Sequence, residues 1–402
     1  MVSGLKRPIE FPLPRVLWSL LFGNFVIGTG VTVVLGTLSD LGQSLHVSVA
    51  TAGQLISAGA LLICLSAPLF AALVAGWDRR RLLALSMLWY GVLHALCAVM
   101  PDFASLLPVR VLTMISPAIF TPQAAACVGL LVPEQQRGRA ITFIFLGWSV
   151  SSVIGMPLGA LLGGLWGWRS AFLLVAVLGL ISAVWVWRAM PSGIKPPALS
   201  RAAWYATLQS PALMMCLLVT GLYSAGQFVL FTYFAPYYKA TLNITPVQLS
   251  LLLAWFGVFG LMGNVWMSRY IDRLGASRMV MTGVASMALS LAIWPWGTTL
   301  LLAGLVSVPW ALGCFASNSA QQARLVGLAP ALASGSIALN TSAMYAGQAV
   351  GAASGGLLIT QGLMSQLHWA GLAGLLLAMG LSWWATRLAA QAQGHVAKGK
   401  IH

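Results

Sequence analysis

Apolar runs of membrane-spanning length, separated by short polar turns, set the pattern of this chain. The first reaches from Val16 to about Leu38, and five more follow near 51–74, 82–100, 103–127, 138–163 and 171–189. Six further runs lie near 212–236, 246–267, 279–297, 299–320, 332–361 and 368–388. About 20 helical residues cross the hydrocarbon core of a bilayer. The pattern therefore predicts an all-α membrane protein with twelve transmembrane helices. The first run is longer than a signal-peptide core and no small-residue cleavage site follows it, so it is expected to remain as helix 1. Between the sixth and seventh runs stand Pro191, Gly193, Lys195, Pro196, Pro197 and Arg201, the composition of a linker. The expected organisation is a six-helix half over 1–190, a linker over 191–210 and a second six-helix half over 211–402 that ends in a short tail.

Two stretches repeat each other. Gly155, Gly159, Gly163 and Gly164 recur as Gly347, Gly351, Gly355 and Gly356, each 192 positions on (347 minus 155). Glycines four apart share one helix face, and in a bilayer such a face lets two backbones approach closely. The common offset points to two similar halves of about 190 residues.

Composition fixes the solvent. Hydrophobic residues make up 59% and charged residues 7% of the chain, against roughly 25% charged in soluble domains. The formal net charge of +15 is spread among apolar segments, which argues against a nucleic-acid partner. With the amino terminus inside, the basic residues fall on the cytoplasmic side except Arg169, Lys239 and Arg110, the last within helix 4. Lysine and arginine are retained on that side, so both termini are expected to be cytoplasmic. Cys64, Cys97, Cys127, Cys216 and Cys314 sit singly in apolar runs, and no metal cluster is legible. Neither a nucleotide-binding loop nor a catalytic constellation is present in the sequence. The chain reads as neither an enzyme nor a primary pump.

Two six-helix halves with a basic turn after the second helix of each half resemble the major facilitator superfamily. Within it, Gly155-Met156-Pro157-Leu158-Gly159 followed by Gly167-Trp168-Arg169-Ser170-Ala171-Phe172 is similar to the drug, sugar and nucleoside efflux branch, as is Ala225-Gly226-Gln227-Phe228 with Phe231-Thr232-Tyr233. The family's loop between helices 2 and 3 is partly kept as Asp272-Arg273-Leu274-Gly275 in the second half. In the first half, Trp77-Asp78-Arg79-Arg80-Arg81 keeps charges without the glycine spacing. The resemblance implies that these loops clamp the halves together, with Asp78, Arg79, Asp272, Arg273 and Gly275 as the gating residues. The glycine faces of helices 5 and 11, with Gly155, Pro157, Gly159, Gly347 and Gly351, should then be packing faces.

The resemblance further implies that helices 1, 4, 7 and 10 line a central cavity. An unpaired polar group in hydrocarbon costs several kcal/mol, so polar residues on those helices are substrate-site candidates. They are Asn24, Thr29, Thr32, Arg110, Thr113, Gln227, Tyr233, Trp310 and Asn318, with Trp148, Asn340 and Tyr345 capping the cavity. Arg110, roughly 12 Å from the outer surface at 1.5 Å per residue, is expected to be the centre of the site and to favour a neutral polar or anionic substrate. Its alternative is a fixed structural bond to Asp40 or to backbone carbonyls. His94 reads as a structural histidine, and Trp294 and Trp296 as interfacial anchors. Pro117, Pro122 and Pro157 should interrupt helices 4 and 5.

None of the six acidic residues, Glu10, Asp40, Asp78, Asp102, Glu134 and Asp272, falls in the middle of a run. Asp40, at the outer end of helix 1, is the remaining coupling candidate. The expected function is a secondary transporter of the bacterial inner membrane that exports a small polar molecule or drug by alternating access, coupled to protons. The alternatives are an uptake or exchange carrier without proton coupling, and a non-transporting sensor on the same fold. A monomer without cofactors or metals is expected.

Overall fold

In lipid, every backbone polar group must be satisfied within the protein, and the apolar runs achieve this as α-helices, each within its own segment. The computed structural model describes residues 13–74, 76–195, 201–329 and 332–399. Helix 1 is Leu13–Ser44, helix 2 Val49–Leu73 and helix 3 Arg79–Val99. Helix 4 is Phe103–Thr113 continued by Ile115–Leu131. Helix 5 is Glu134–Val150 and Met156–Trp166, joined by a π-turn over Ser151–Gly155, and helix 6 is Trp168–Ala189. A short linker helix, Arg201–Leu208, leads to helix 7, Pro211–Phe231 with Phe234–Leu242, and helix 8, Pro246–Leu274. Helix 9 is Ala276–Ile293, helix 10 Leu300–Leu328, helix 11 Ala333–Thr360 and helix 12 Leu367–Gly399.

Among the described residues, eleven helices are long and apolar enough to cross a membrane. Helix 11, with 28 residues, is the twelfth of membrane length but is richer in small and polar side chains. We call the side carrying the linker helix the linker face and the opposite side the far face.

Prolines explain the breaks. Pro117 cannot donate to the carbonyl of Thr113, and helix 4 breaks at Met114. Pro236 stands in the same relation to Thr232, where helix 7 is interrupted. In helix 5 the π-turn lies immediately before Pro157 and absorbs its missing donor. Pro122 lies inside an unbroken helical segment, so only two of the three expected interruptions occur. Asp78 and Asp102 cap helices 3 and 4 by accepting from the N–H groups of Arg81 (3.1 Å) and Ser105 (2.8 Å).

Within the first half, helix 3 packs on helix 6, and helix 1 on helices 5 and 6. In the second half, helix 7 packs on helices 11 and 12, and helix 10 on helices 8 and 9. The halves meet where helix 2 lies on helix 11 and helix 5 on helix 8. The repeat seen in the sequence recurs in the packing. Gly155, Gly159 and Gly163 face Thr29, Val33 and Thr37 of helix 1, whereas Gly347, Gly351 and Gly355 face Gly221, Ala225 and Val229 of helix 7. Each partner is displaced by the same 192 positions as its glycine (221 minus 29). The adjoining Gly164 and Gly356 look across to the other half, towards Pro246 and Ala50.

Trp294 corrects the reading from sequence. It is 2% exposed, with its ring 5.5 Å from that of Trp310 and 6.1 Å from that of Phe234. The short turn that ends helix 9 folds it into an aromatic cluster, while Trp296 stays outside at 70% exposure.

Candidate functional site

A buried amide must find partners for both its donors and its acceptor, and two asparagines do so by tying three helices together. In the first half, Asn24 of helix 1 donates from Nδ2 to the carbonyl of Ile144 in helix 5 (3.0 Å). Its Oδ1 accepts from the hydroxyl of Thr121 in helix 4 (2.8 Å). In the second half, Asn340 of helix 11 accepts from Thr220 of helix 7 (2.7 Å) and donates to Oδ1 of Asn318 in helix 10 (3.1 Å). Helices 1, 5 and 4 thus correspond to helices 7, 11 and 10. Asn24, Thr220 and Asn340 are buried, whereas Thr121 and Asn318 are half-buried. Thr121 keeps lone pairs free to accept, and Asn318 keeps its amide group free to donate.

Further towards the far face, Gln227 of helix 7 accepts at Oε1 from Trp310 Nε1 (3.4 Å) and from Cys314 Sγ (3.2 Å) of helix 10. Tyr233, at the break in helix 7, donates to the carbonyl of Ala352 (2.8 Å) and packs against Gly53 of helix 2, so it lies in the seam between the halves. Thr29 and Thr32 donate back to carbonyls of their own helix, at Phe25 (2.8 Å) and Gly28 (2.9 Å). Trp148 is half-buried beside Gly28, and Tyr345 is buried.

Arg110 has a different setting. It is 1% exposed, and its Nη2 donates to the carbonyls of Gly30 (2.8 Å) and Val31 (3.2 Å) in helix 1. Its Nη1 reaches Nε2 of His94 (3.1 Å) and the hydroxyl of Thr113 (3.4 Å). His94 Nδ1 lies 2.8 Å from the carbonyl of Tyr90. A ring that donates from Nδ1 to that carbonyl is left with an acceptor at Nε2, the role that Arg110 requires. Tyr90 in turn donates to the carbonyl of Ile27 (3.1 Å). Helices 3 and 4 therefore hold three carbonyls within about one turn of helix 1, those of Ile27, Gly30 and Val31, and the guanidinium is enclosed by groups of the chain itself. Asp40 takes no part in this arrangement.

The coupling and gating candidates also divide. Asp40 pairs with Lys239, far along helix 7, at 2.7 Å across the halves. A second bond across the halves runs from Ser250 Oγ of helix 8 to the carbonyl of Pro157 (2.9 Å), and Gly257 packs on the backbone of Ser152 in the π-turn. On the linker face, Asp78 accepts from the N–H of Gly193 in the linker, and the N–H of Arg79 donates to the carbonyl of Ile194 (3.0 Å). The Arg79 side chain donates to the carbonyls of Val74 (3.0 Å) and Trp77 (3.1 Å). Burial pushes the Asp78 carboxyl up, but bonds from the N–H groups of Gly193 and Arg81 outweigh it and leave it below the ordinary carboxylate range. Arg273 is exposed and Gly275, at φ +83°, turns the chain between helices 8 and 9; the side chain of Asp272 lies outside the described residues.

Reading the sequence did not single out Thr121, Thr220, Ser250 or the pairing of Lys239. Thr121 and Thr220 belong to no motif. Lys239 carried a signal, since with Arg169 it is one of two basic residues that the charge pattern leaves on the far face, where Asp40 also lies.

Residues 20–352 match the family model described as Major Facilitator Superfamily. The inner membrane transport protein YdhP of Escherichia coli K12 is 30% identical over 358 residues, which are 88% of this chain and 90% of that protein. A chloramphenicol resistance protein of Streptomyces lividans is 33% identical over 287 residues, 70% of this chain and 72% of its own. The purine ribonucleoside efflux pump NepI of Salmonella paratyphi B is 28% identical over 310 residues, 74% and 76% respectively.

Proposed function

This chain belongs to the major facilitator superfamily of membrane transporters, and we propose that it exports a small neutral polar solute from the cytoplasm of a bacterium, driven by the proton gradient. The observation that carries this reading is the pair of corresponding polar nodes, Asn24–Thr121 and Asn340–Asn318. Helix 4 offers a hydroxyl acceptor and helix 10 an amide donor, on two of the helices that the family resemblance sets around a central cavity, and neither node carries a net charge. A solute with hydroxyls, amides or a nucleobase edge would satisfy both nodes, and a permanent cation neither. Its relatives include proteins named for chloramphenicol resistance and for purine ribonucleoside efflux, which supports this class and the outward direction.

In the proposed cycle the far face is the periplasmic side and the linker face is cytoplasmic. With Asp40 and Lys239 paired, the far end is held shut and solute enters between the halves from the linker face. Rocking about the seam of helices 5 and 8 then separates Asp40 from Lys239 and opens the far end. Asp40 is the acid best placed to exchange its salt bridge for an external proton in that step.

The test uses everted vesicles supplied with chloramphenicol or a purine ribonucleoside, with and without a proton gradient, for the wild type, Thr121→Val and Asn318→Ala. Gradient-dependent accumulation that falls in both variants supports the proposal. Equal accumulation in the wild type and both variants would refute the role of the nodes. A carrier without proton coupling is the second reading. It is favoured by the position of Asp40, Asp78 and Asp102, the acids with described side chains, at helix ends, and accumulation indifferent to the gradient would establish it.

A further inference from the structure

Helices 7 and 12 cross tightly where Gly226 meets Gly371 and Gly374, with backbone against backbone. Towards the linker face the two helices are separated by larger side chains, and a groove of about 750 Å³ opens between them on the outer surface of the bundle. Leu218 and Leu222 form one wall, Leu376 and Leu377 the other, and Trp384 stands at its linker-face end. Its floor is Gly380, where an added Cβ would meet nothing within 4 Å. One turn beyond Trp384, Arg387 lies with its guanidinium 3.5 Å above the ring of Trp383. It forms no ion pair with a described residue.

We propose that this groove binds one acyl chain of an anionic phospholipid whose phosphate is held by Arg387. The groove is lined almost entirely by apolar surface, which suits an acyl chain better than a polar solute. The charge at its end selects the headgroup. An arginine fixed over an indole keeps the edge of its guanidinium free, and that planar edge matches a phosphate bidentately. Because helix 7 also carries Gln227, Tyr233 and Lys239, the bound lipid leans on a helix that belongs to both the candidate site and the far-face closure.

The groove can be filled without disturbing the packing of the bundle. Gly380→Leu occupies its floor where the structure leaves open space, and Arg387→Gln removes the charge while keeping a side chain of similar length. The experiment is native mass spectrometry of the purified full chain, released from micelles containing equal amounts of phosphatidylglycerol and phosphatidylcholine. Size-exclusion profiles serve as the control for folding, with Gly380→Ala as a milder second variant. The wild type should retain one phosphatidylglycerol in preference to phosphatidylcholine. Arg387→Gln should lose about fivefold of that preference, the effect of one basic residue at an anionic surface. Gly380→Leu should retain either lipid about tenfold less, as expected when contact with two methylenes is denied. Unchanged retention in Gly380→Leu would overturn the proposal. So would lipid retention indifferent to headgroup in the wild type, or a shift from dimer to monomer in Gly380→Leu with lipid unaffected, which would make this face a contact between two copies of the chain.

Discussion

Lys239 Nζ stands 2.7 Å from Asp40 Oδ1, joining the far end of helix 7 to the far end of helix 1 across the two halves. The two side chains are 23% and 22% exposed, so solvent screens their attraction, and such a pair contributes about 0.2–1 kcal/mol. Lys239→Gln should therefore shift the balance between closed and open far ends by no more than about fivefold. Distance measurements between spin labels on helices 1 and 7 would read the shift. The charge-reversed pair, Asp40→Lys with Lys239→Asp, should restore closure. If Asp40 also carries the coupling proton, that double variant closes normally and still transports without proton dependence.

The repeated glycines are not equivalent in their tolerance of a side chain. A Cβ at Gly159 would meet Val33 at 3.6 Å, an ordinary contact, while one at Gly351 would press on the carbonyl of Ala225 and lie 3.0 Å from the Cβ of Phe228. Gly159→Ala should leave thermal stability nearly unchanged, and Gly351→Ala should cost about 1–3 kcal/mol through overpacking. Equal melting temperatures for the two variants would contradict the geometry.

Replacing Arg110 by lysine keeps the charge and loses the fork. Lysine has no second arm to hold the carbonyls of Gly30 and Val31 while also reaching His94. Loss of one hydrogen bond from a charged donor costs about 1.5–3 kcal/mol, so the variant should unfold more readily by at least that amount. Because the guanidinium is enclosed, affinity for a solute should fall together with the order of helix 1. Hydrogen exchange along helix 1 separates this from a direct contact, which would leave exchange unchanged.

Asp78 ties the linker to the start of helix 3. Its carboxyl titrates below its ordinary range, so the tether is fully present above the unfolded carboxylate's pKa of about 3.9 and is lost as the pH falls through the lower folded value. The amide of Gly193 should stay protected from exchange above that range and lose protection below it. In Asp78→Asn the pH dependence should vanish.

The twelve runs were legible because a spanning helix needs little beyond length and apolarity, and the offset of the glycines recurs in the packing of the two glycine faces. Helix ends were placed too short, at Leu38 against Ser44 and near 267 against Leu274, since helices project past the hydrocarbon and polar residues there carry no apolar signal. The candidate site was less legible. Asn24, Asn318 and Asn340 stood out as amides in apolar runs, but nothing in the local sequence tells that Thr121 completes one node and Thr220 the other, because their partners lie 97 and 120 residues away. Trp294 looked like an interfacial residue because a proline follows it. Only the fold of the turn shows that it points inward.

Helix 11 has a consequence for how the protein is made. It is the membrane-length helix outside the set that is apolar enough to cross a bilayer on hydropathy alone. Asn340 and Gln348 within it are buried, and it is received between helix 2 on one side and helix 7 on the other. Free transfer of such a segment into lipid gains little. Both receiving helices precede it in the chain and have already left the ribosome when it is synthesised. Its entry into the membrane is therefore an act of assembly, in which the helices already in place serve as the solvent.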